Sequence, residues 1–259
     1  MNLTFTLATT DKNGETLPNP GVEYIQWPES YPIDCEAFMK DNSGKYVKYL
    51  WDPNSYINIM VYNFTTEPNS NSVTLGISHI PFSTTGKHYL EGLGETDYSH
   101  LTLANLQFPL SVSINSLYIN EESTPTEYST ADIAVTLAHE LGHYLGLHHV
   151  FAETDNGTCE DTDYCKDTKS YNKQEYDSER EKYTFKNLVK RTGCDGIEFI
   201  SYNIMDYAIS YSNQFTQNQR ERIRHVLSYS PLIPGPKKGD IDTRALNEGP
   251  LDLPIRTIK

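Results

Sequence analysis

Residues 139–150 read HELGHYLGLHHV, and the spacing of their side chains can do chemistry. His139 and His143 stand four apart, so on a helix both imidazoles leave one face, close enough to share one ion. Glu140 lies about 100° round such a helix, off the ligand direction but within reach of a water at the ion. Gly146 can take a positive φ, end the helix and turn the chain back, so that His149 supplies a third ligand. Three protein ligands leave a fourth position for water, the arrangement of a catalytic zinc site. The five fixed positions of HExxHxxGxxH arise by chance in such a chain roughly once in ten thousand. The bland alternative is a buried helix whose histidines are satisfied core residues. His148 is one residue short of the register and is read as a surface or outer-layer histidine. His79, His88, His100 and His225 carry no ligand spacing.

A helix must position this pair. Ala134, Leu137, Leu141 and Leu145 share one face of a 3.6-residue wheel, with His139 and His143 roughly opposite. That predicts buried leucines and imidazoles on the other side. Ser129 or Thr130 is the expected N-cap, with Asp132 completing a box to Ser129. The first half reads as strands: 3–7, 56–64, 74–82 and 110–120, from β-branched, aromatic or alternating residues. Gly76 and Pro81 mark 74–82 as an edge strand. Residues 32–41 predict a short helix. Beyond 150 lie an acidic loop, a charged and partly helical stretch that Gly193 can end, and a last helix. Thr216 and Gln219 form the capping box of that last helix, with Ile223, Val226 and Leu227 as its apolar stripe. The Pro- and Gly-rich end is expected to drape over the domain as extended chain or to be partly mobile. Three parts are expected: 1–149 with sheet and zinc helix, 150–230, and the tail 231–259.

HELGHYLGLHH followed by NIMDY at 203–207 resembles the metzincin zinc endopeptidases, in which the zinc motif precedes a Met-turn. HVF at 149–151, an acidic cysteine-bearing loop ending in KDT, and FTQNQ after the Met-turn are most similar to the pappalysin branch. GISHIP and SLYIN fall where that branch has its edge strand and next core strand. The tail and tyrosine-rich composition are similar to secreted lipoprotein-type members from gut Bacteroidetes.

The resemblance implies an α+β fold: a twisted, mostly parallel sheet, an active-site helix, and an irregular C-terminal subdomain with a Met-turn and a last helix. It implies zinc on His139, His143 and His149, Glu140 as general base and acid, Met205 as a floor beneath the metal, and Tyr207 steadying the oxyanion. An extended peptide or protein substrate would pair along Gly76, Ile77, Ser78 and His79. No acid occurs from 208 to 215, so no preference for basic residues is carried over. Two other readings stand beside the endopeptidase: a non-catalytic zinc-bearing binding module or adhesin, which has no need of Glu140, and another HExxH hydrolase such as an aminopeptidase.

The acidic residues Asp155, Glu160, Asp161, Asp163 and Asp167 read equally as a solvated loop or a hard-cation site. The resemblance implies calcium there. Cys35, Cys159, Cys165 and Cys194 lack CxxC spacing, which favours disulfides in an oxidising compartment over buried thiols. The resemblance pairs Cys159 with Cys194. That leaves Cys35–Cys165, with Cys165–Cys194 as the rival, and a zymogen role for Cys35 as a remote one.

A formal charge of −14 argues against nucleic acid, which needs clustered Lys and Arg. No apolar run of spanning length occurs, and the first residues do not read as a signal peptide. A secreted or cell-surface monomer is expected, with a lipid anchor allowed on a removed N-terminus.

Overall fold

The computed structural model describes residues 3–66, 72–154, 157–207, 209–238 and 249–259, the side chain of Phe185 excepted. Four strands make the central sheet: β1 (Ile59–Tyr62), β2 (Gly76–His79), β5 (Val112–Asn115) and β8 (Thr257–Ile258), in the order β1-β5-β2-β8. β1 runs parallel to β5, while β2 is antiparallel to both β5 and β8. The class is α+β as expected, and the sheet is mixed, with its parallel pairing confined to β1 and β5. Two small ribbons flank it, β3 (Phe82–Thr84) with β4 (Gly94–Thr96), and β6 (Lys190–Thr192) with β7 (Glu198–Ile200).

Among the described residues, four α-helices complete the fold: α1 (Cys35–Met39), α2 (Ile133–Tyr144), α3 (Lys173–Glu179) and α4 (Gln217–Tyr229). α1 starts where Asp34 accepts from the Ala37 N–H. α2 starts at Asp132, whose carboxylate accepts from the Ala134 and Val135 N–H groups. Asp132 is therefore the cap itself, and the expected caps Ser129 and Thr130 lie ahead of the helix. α4 carries the expected Thr216–Gln219 box, and Ile223 and Val226 are buried. α3 stops at Glu179, so Gly193 ends no helix. It bridges to Tyr171 instead.

Three expectations fail for lack of a partner or through a gained one. Residues 3–7 form no strand. Phe5 and Leu7 are exposed, and alternation without a neighbouring strand satisfies no backbone groups. β2 is not an edge strand, because β8 lies on its outer side. Cys35 and Cys165 are free. Cys35 packs with Phe38, Met39, Tyr46 and Tyr62, whereas Cys165 is held in the acidic loop by its N–H bond to Asp163. Burial pushes the Cys35 thiol up to about 11 and the Cys165 thiol to about 12, so both are poor thiolates. Cys159 and Cys194 do form a disulfide.

One apolar core joins residues from Leu50 to Leu253, including Val112 and Ile114 of β5, Tyr144 and Leu145, Met205, and Val226 of α4. The Cys159–Cys194 bridge closes a 35-residue separation. Its loss should cost about 3–4 kcal/mol in the chain-entropy account. Denaturant unfolding of the Cys159→Ser/Cys194→Ser variant measures that cost. Non-reducing peptide mapping should return one bridge and two thiols that stay unlabelled until the protein unfolds.

Candidate active site

The most buried face of α2 is not the leucine face. His139, Glu140, Gly142 and His143 are buried, while Leu137 and Leu141 are only partly so. The helix is covered from the histidine side by β2 and by the turn at 203–207. Two glycines permit this approach. A Cβ on Gly142 would sit 2.5 Å from the Met205 sulfur, and one on Gly76 would sit 2.5 Å from Glu140 Cγ. Each would force a neighbour to move. Neither glycine had a role beyond strand and motif membership in the linear pattern. A glycine within a helix costs about 1 kcal/mol relative to alanine, and that local cost was the one available sign of close packing at Gly142.

Gly146 ends α2 with φ +93°, as the pattern requires. Arg222 of α4 holds this turn through Nε to the Gly146 carbonyl, 2.5 Å, and its other arm bonds the Glu91 carbonyl. The chain returns, and His149 joins His139 and His143. His143 Nε2 lies 3.0 Å from His139 Nε2 and 3.1 Å from His149 Nε2. These are not hydrogen bonds. His139 Nδ1 is 2.7 Å from the Ile204 carbonyl, His143 Nδ1 is 2.8 Å from the Leu147 carbonyl, and His149 Nδ1 is 2.6 Å from Glu153 Oε1. A carbonyl or carboxylate can only accept, so each Nδ1 carries the hydrogen. Three Nε2 lone pairs then face one point with no donor among them.

That arrangement fits a metal. Four-coordinate zinc with ligands near 2.0–2.1 Å from the ion places them about 3.3 Å apart. Burial lowers the pKa of all three imidazoles, and for His143 the neighbouring His149 and His139 add to it. They are held neutral, as ligands must be. Among the described residues these three form the single group of three or more His, Cys, Asp or Glu side chains able to hold an ion. His148 is apart: its Nε2 faces the Gly92 carbonyl at 3.0 Å.

Glu140 is 3 % exposed, and burial raises its carboxyl well above the ordinary value. Its Oε2 is buried without a hydrogen-bond partner. A buried carboxyl oxygen left so is costly, and a water beside the histidines would satisfy it. Tyr207 is half-buried against His149, with ring centroids 4.4 Å apart, and stands 5.7 Å from the His139 ring. Burial first, then the charges of Glu140 and Glu153, raise its hydroxyl pKa, so it stays a donor.

The turn that carries Met205 and Tyr207 is tied down by Asp206. This carboxylate accepts from the Tyr207 N–H at 2.7 Å, from Tyr171 Oη at 2.5 Å and from Ser201 Oγ, and it pairs with Arg191 at 3.2 Å. The pair is fully buried, and the guanidinium lies over the Tyr176 ring at 4.0 Å. Asn203 links the turn to α4 by exchanging bonds with Gln219. Asp206, Arg191 and Gln219 carry no site signal in the sequence, because Arg191 stands 15 residues from Asp206 and Gln219 stands 16 from Asn203, whereas Glu153 is four residues from His149 and could have been found by its i,i+4 spacing.

Of the acidic residues, Asp155 lies outside the described residues. Glu160 accepts from Thr158, and Asp167 caps the Asn218 N–H of α4. Asp163 is buried, bonded through Oδ1 to the Cys165 N–H and Thr168 Oγ1, with Oδ2 unpartnered.

Replacing His149 with Ala should abolish metal binding, while His148→Ala should retain it. Glu153→Ala should weaken zinc affinity about 10–100-fold by freeing the His149 ring. Competition with a chromogenic chelator measures all three.

The sequence profile of the peptidase M43 family, described as pregnancy-associated plasma protein-A, matches residues 41–228. An extracellular metalloprotease of Arthroderma otae is 38% identical over 98 residues, covering 34% of this chain and 29% of its own length. Its Trichophyton verrucosum counterpart is 37% identical over the same length. The chain thus spans under a third of these curated relatives. Among solved structures, promirolysin of Tannerella forsythia matches with TM-score 0.53 and 22% identity over 86% of this chain and 61% of that one. Mature mirolysin with a cleaved peptide matches with TM-score 0.50 and 23% identity, over 86% and 70%. These likenesses show the fold. With the family profile spanning most of its length, the chain belongs to the peptidase M43 family of pappalysin-like metalloproteases.

Proposed function

We propose that this chain is a zinc-dependent endopeptidase that hydrolyses peptide bonds in peptides or proteins. The observation that carries the reading is the convergence of three Nε2 lone pairs, each imidazole fixed by an acceptor on Nδ1, beside a buried carboxyl with a free oxygen. His139, His143 and His149 would hold the zinc, which supplies a Lewis acid for the substrate carbonyl and for the attacking water. Glu140 takes the proton from that water and hands it to the leaving amine. Tyr207 donates to the oxygen on which charge develops. Met205 and the Gly142 contact hold the ligand helix level beneath them.

The other readings fit less well. A non-catalytic module gains nothing from burying Glu140 at a cost. An aminopeptidase of this motif class takes a distant acidic ligand, whereas here the Gly146 turn delivers His149. Secretion is part of the proposal, supported by the Cys159–Cys194 bridge and by relatives named as extracellular. No helix among the described residues is long and apolar enough to cross a membrane. A monomer is proposed, as is a calcium ion at Asp163. There, burial first and then Asp161 push the carboxyl up to about 7, so a cation would remove a real cost.

Glu140→Ala should keep fold and bound zinc while peptide cleavage falls by about 10²–10⁴-fold. Unchanged turnover in a zinc-loaded Glu140→Ala sample would refute the mechanism. For calcium, a chelator selective for it over zinc should lower the melting temperature of wild type and leave Asp163→Asn unmoved.

A further inference from the structure

One face of β2 packs on the zinc helix at Gly76, and its outer edge carries the chain's own tail. Gly76 touches Glu140. Two and three residues on, Ser78 pairs with Ile258 and His79 with Thr257, and the Ile80 N–H donates to the Arg256 carbonyl at 3.1 Å. β8 is antiparallel to β2, so the tail runs from Ile80 toward Gly76 and hence toward the catalytic carboxyl. A peptide added to this edge in the same polarity would place its N-terminal residues against Ser78 and His79 and its scissile bond near Gly76. β8 therefore stands where residues N-terminal to the scissile bond would pair.

The tail is anchored independently of this pairing. Leu253 is buried in the main core, and Ile255 and Ile258 pack on it. The Leu251 N–H donates to the Asn105 carbonyl at 3.1 Å, and Arg256 reaches the Gly92 carbonyl at 2.7 Å. Lys259 pairs with Glu36 of α1. These contacts are made with the core and with loops on both sides of the edge. The strand is thus a fixed part of the cleft wall.

We infer that residues 256–258 are specificity-determining: they fill the strand position for the N-terminal side of the substrate, so that substrate binding relies on residues C-terminal to the scissile bond. The inference rests on the peptidase reading. It explains how one sheet edge can end at a catalytic group and still be covered. It also means that lengthening a substrate on its N-terminal side adds few backbone bonds, since Ser78 and Ile80, whose groups face this edge, already pair with the tail, while the His79 N–H donates inward to the Ser111 carbonyl.

The test uses the full zinc-loaded chain and a peptide series with one scissile bond and a constant C-terminal side. The N-terminal side is lengthened from one residue to about five, the span of a paired strand. Wild type should gain less than about threefold in kcat/KM across the series, because no new strand forms. Ile258→Pro cannot donate to the ladder, and Arg256→Ala loses the Gly92 anchor. Either should gain about tenfold or more across the series, through KM, with the shortest peptide cleaved as by wild type. A wild type that gains as steeply as the variants overturns the inference without reference to how the variants fold. Variants that keep wild-type melting temperature and zinc content yet show the flat wild-type profile also overturn it. No cleavage of any peptide by any of the proteins would overturn the peptidase reading, and this inference with it.

Discussion

Three lone pairs aimed at one point repel, and the fold has to hold them there. The site achieves this by fixing the far side of each ring. A carbonyl at Ile204, a carbonyl at Leu147 and the carboxylate of Glu153 each accept from an Nδ1–H. The tautomers follow from that, and so does the direction of every Nε2. The acceptors come from three separate places: the Met-turn, the Gly146 turn, and the chain just beyond His149. Geometry at the metal is therefore a property of how these three segments pack.

α4 connects two of them. Gln219 bonds Asn203 in the Met-turn, and Arg222, three residues along the same helix, bonds the Gly146 carbonyl. The residue that completes the capping box of α4 also reaches into the turn beneath the site. The buried Arg191–Asp206 pair ties down the Met-turn from its other side. Such a pair contributes little net stability against an apolar replacement, but removing one partner alone strands a charge and is severe. Its evident use here is orientation, because Asp206 also receives the Tyr207 N–H and so sets where that ring stands against His149.

Much of the site was legible because its information is local. His139, His143, Gly146 and His149 sit within eleven residues, and helical geometry converts that spacing into a common point. Thr216 and Gln219 declared the last helix for the same reason. What was not legible depends on contacts between distant segments. Gly142 needs Met205, Gly76 needs Glu140, and Arg191 needs Asp206. The leucine face of α2 does pack on the core through Leu137, Leu141 and Leu145, but hydrophobicity gives no sign that the opposite face is buried more deeply, because a metal site buries imidazole and carboxyl. The second cysteine pair failed because an even count says nothing about proximity. β2 reads as an edge because its own residues resemble one, and its covering strand lies about 180 residues away.

That two-residue covering strand has a colloidal consequence. An open sheet edge with free N–H and C=O groups recruits strands from other molecules, which is a common route to aggregation. β2 is a buried, unbroken stretch of GISH with no charged gatekeeper on it. With residues 256–258 seated against it, the ladder ends in the chain's own backbone, and a neighbouring molecule finds no bare row of bonding groups at Ser78 and Ile80. The same short strand that walls the cleft thus also closes this edge to strands from other molecules.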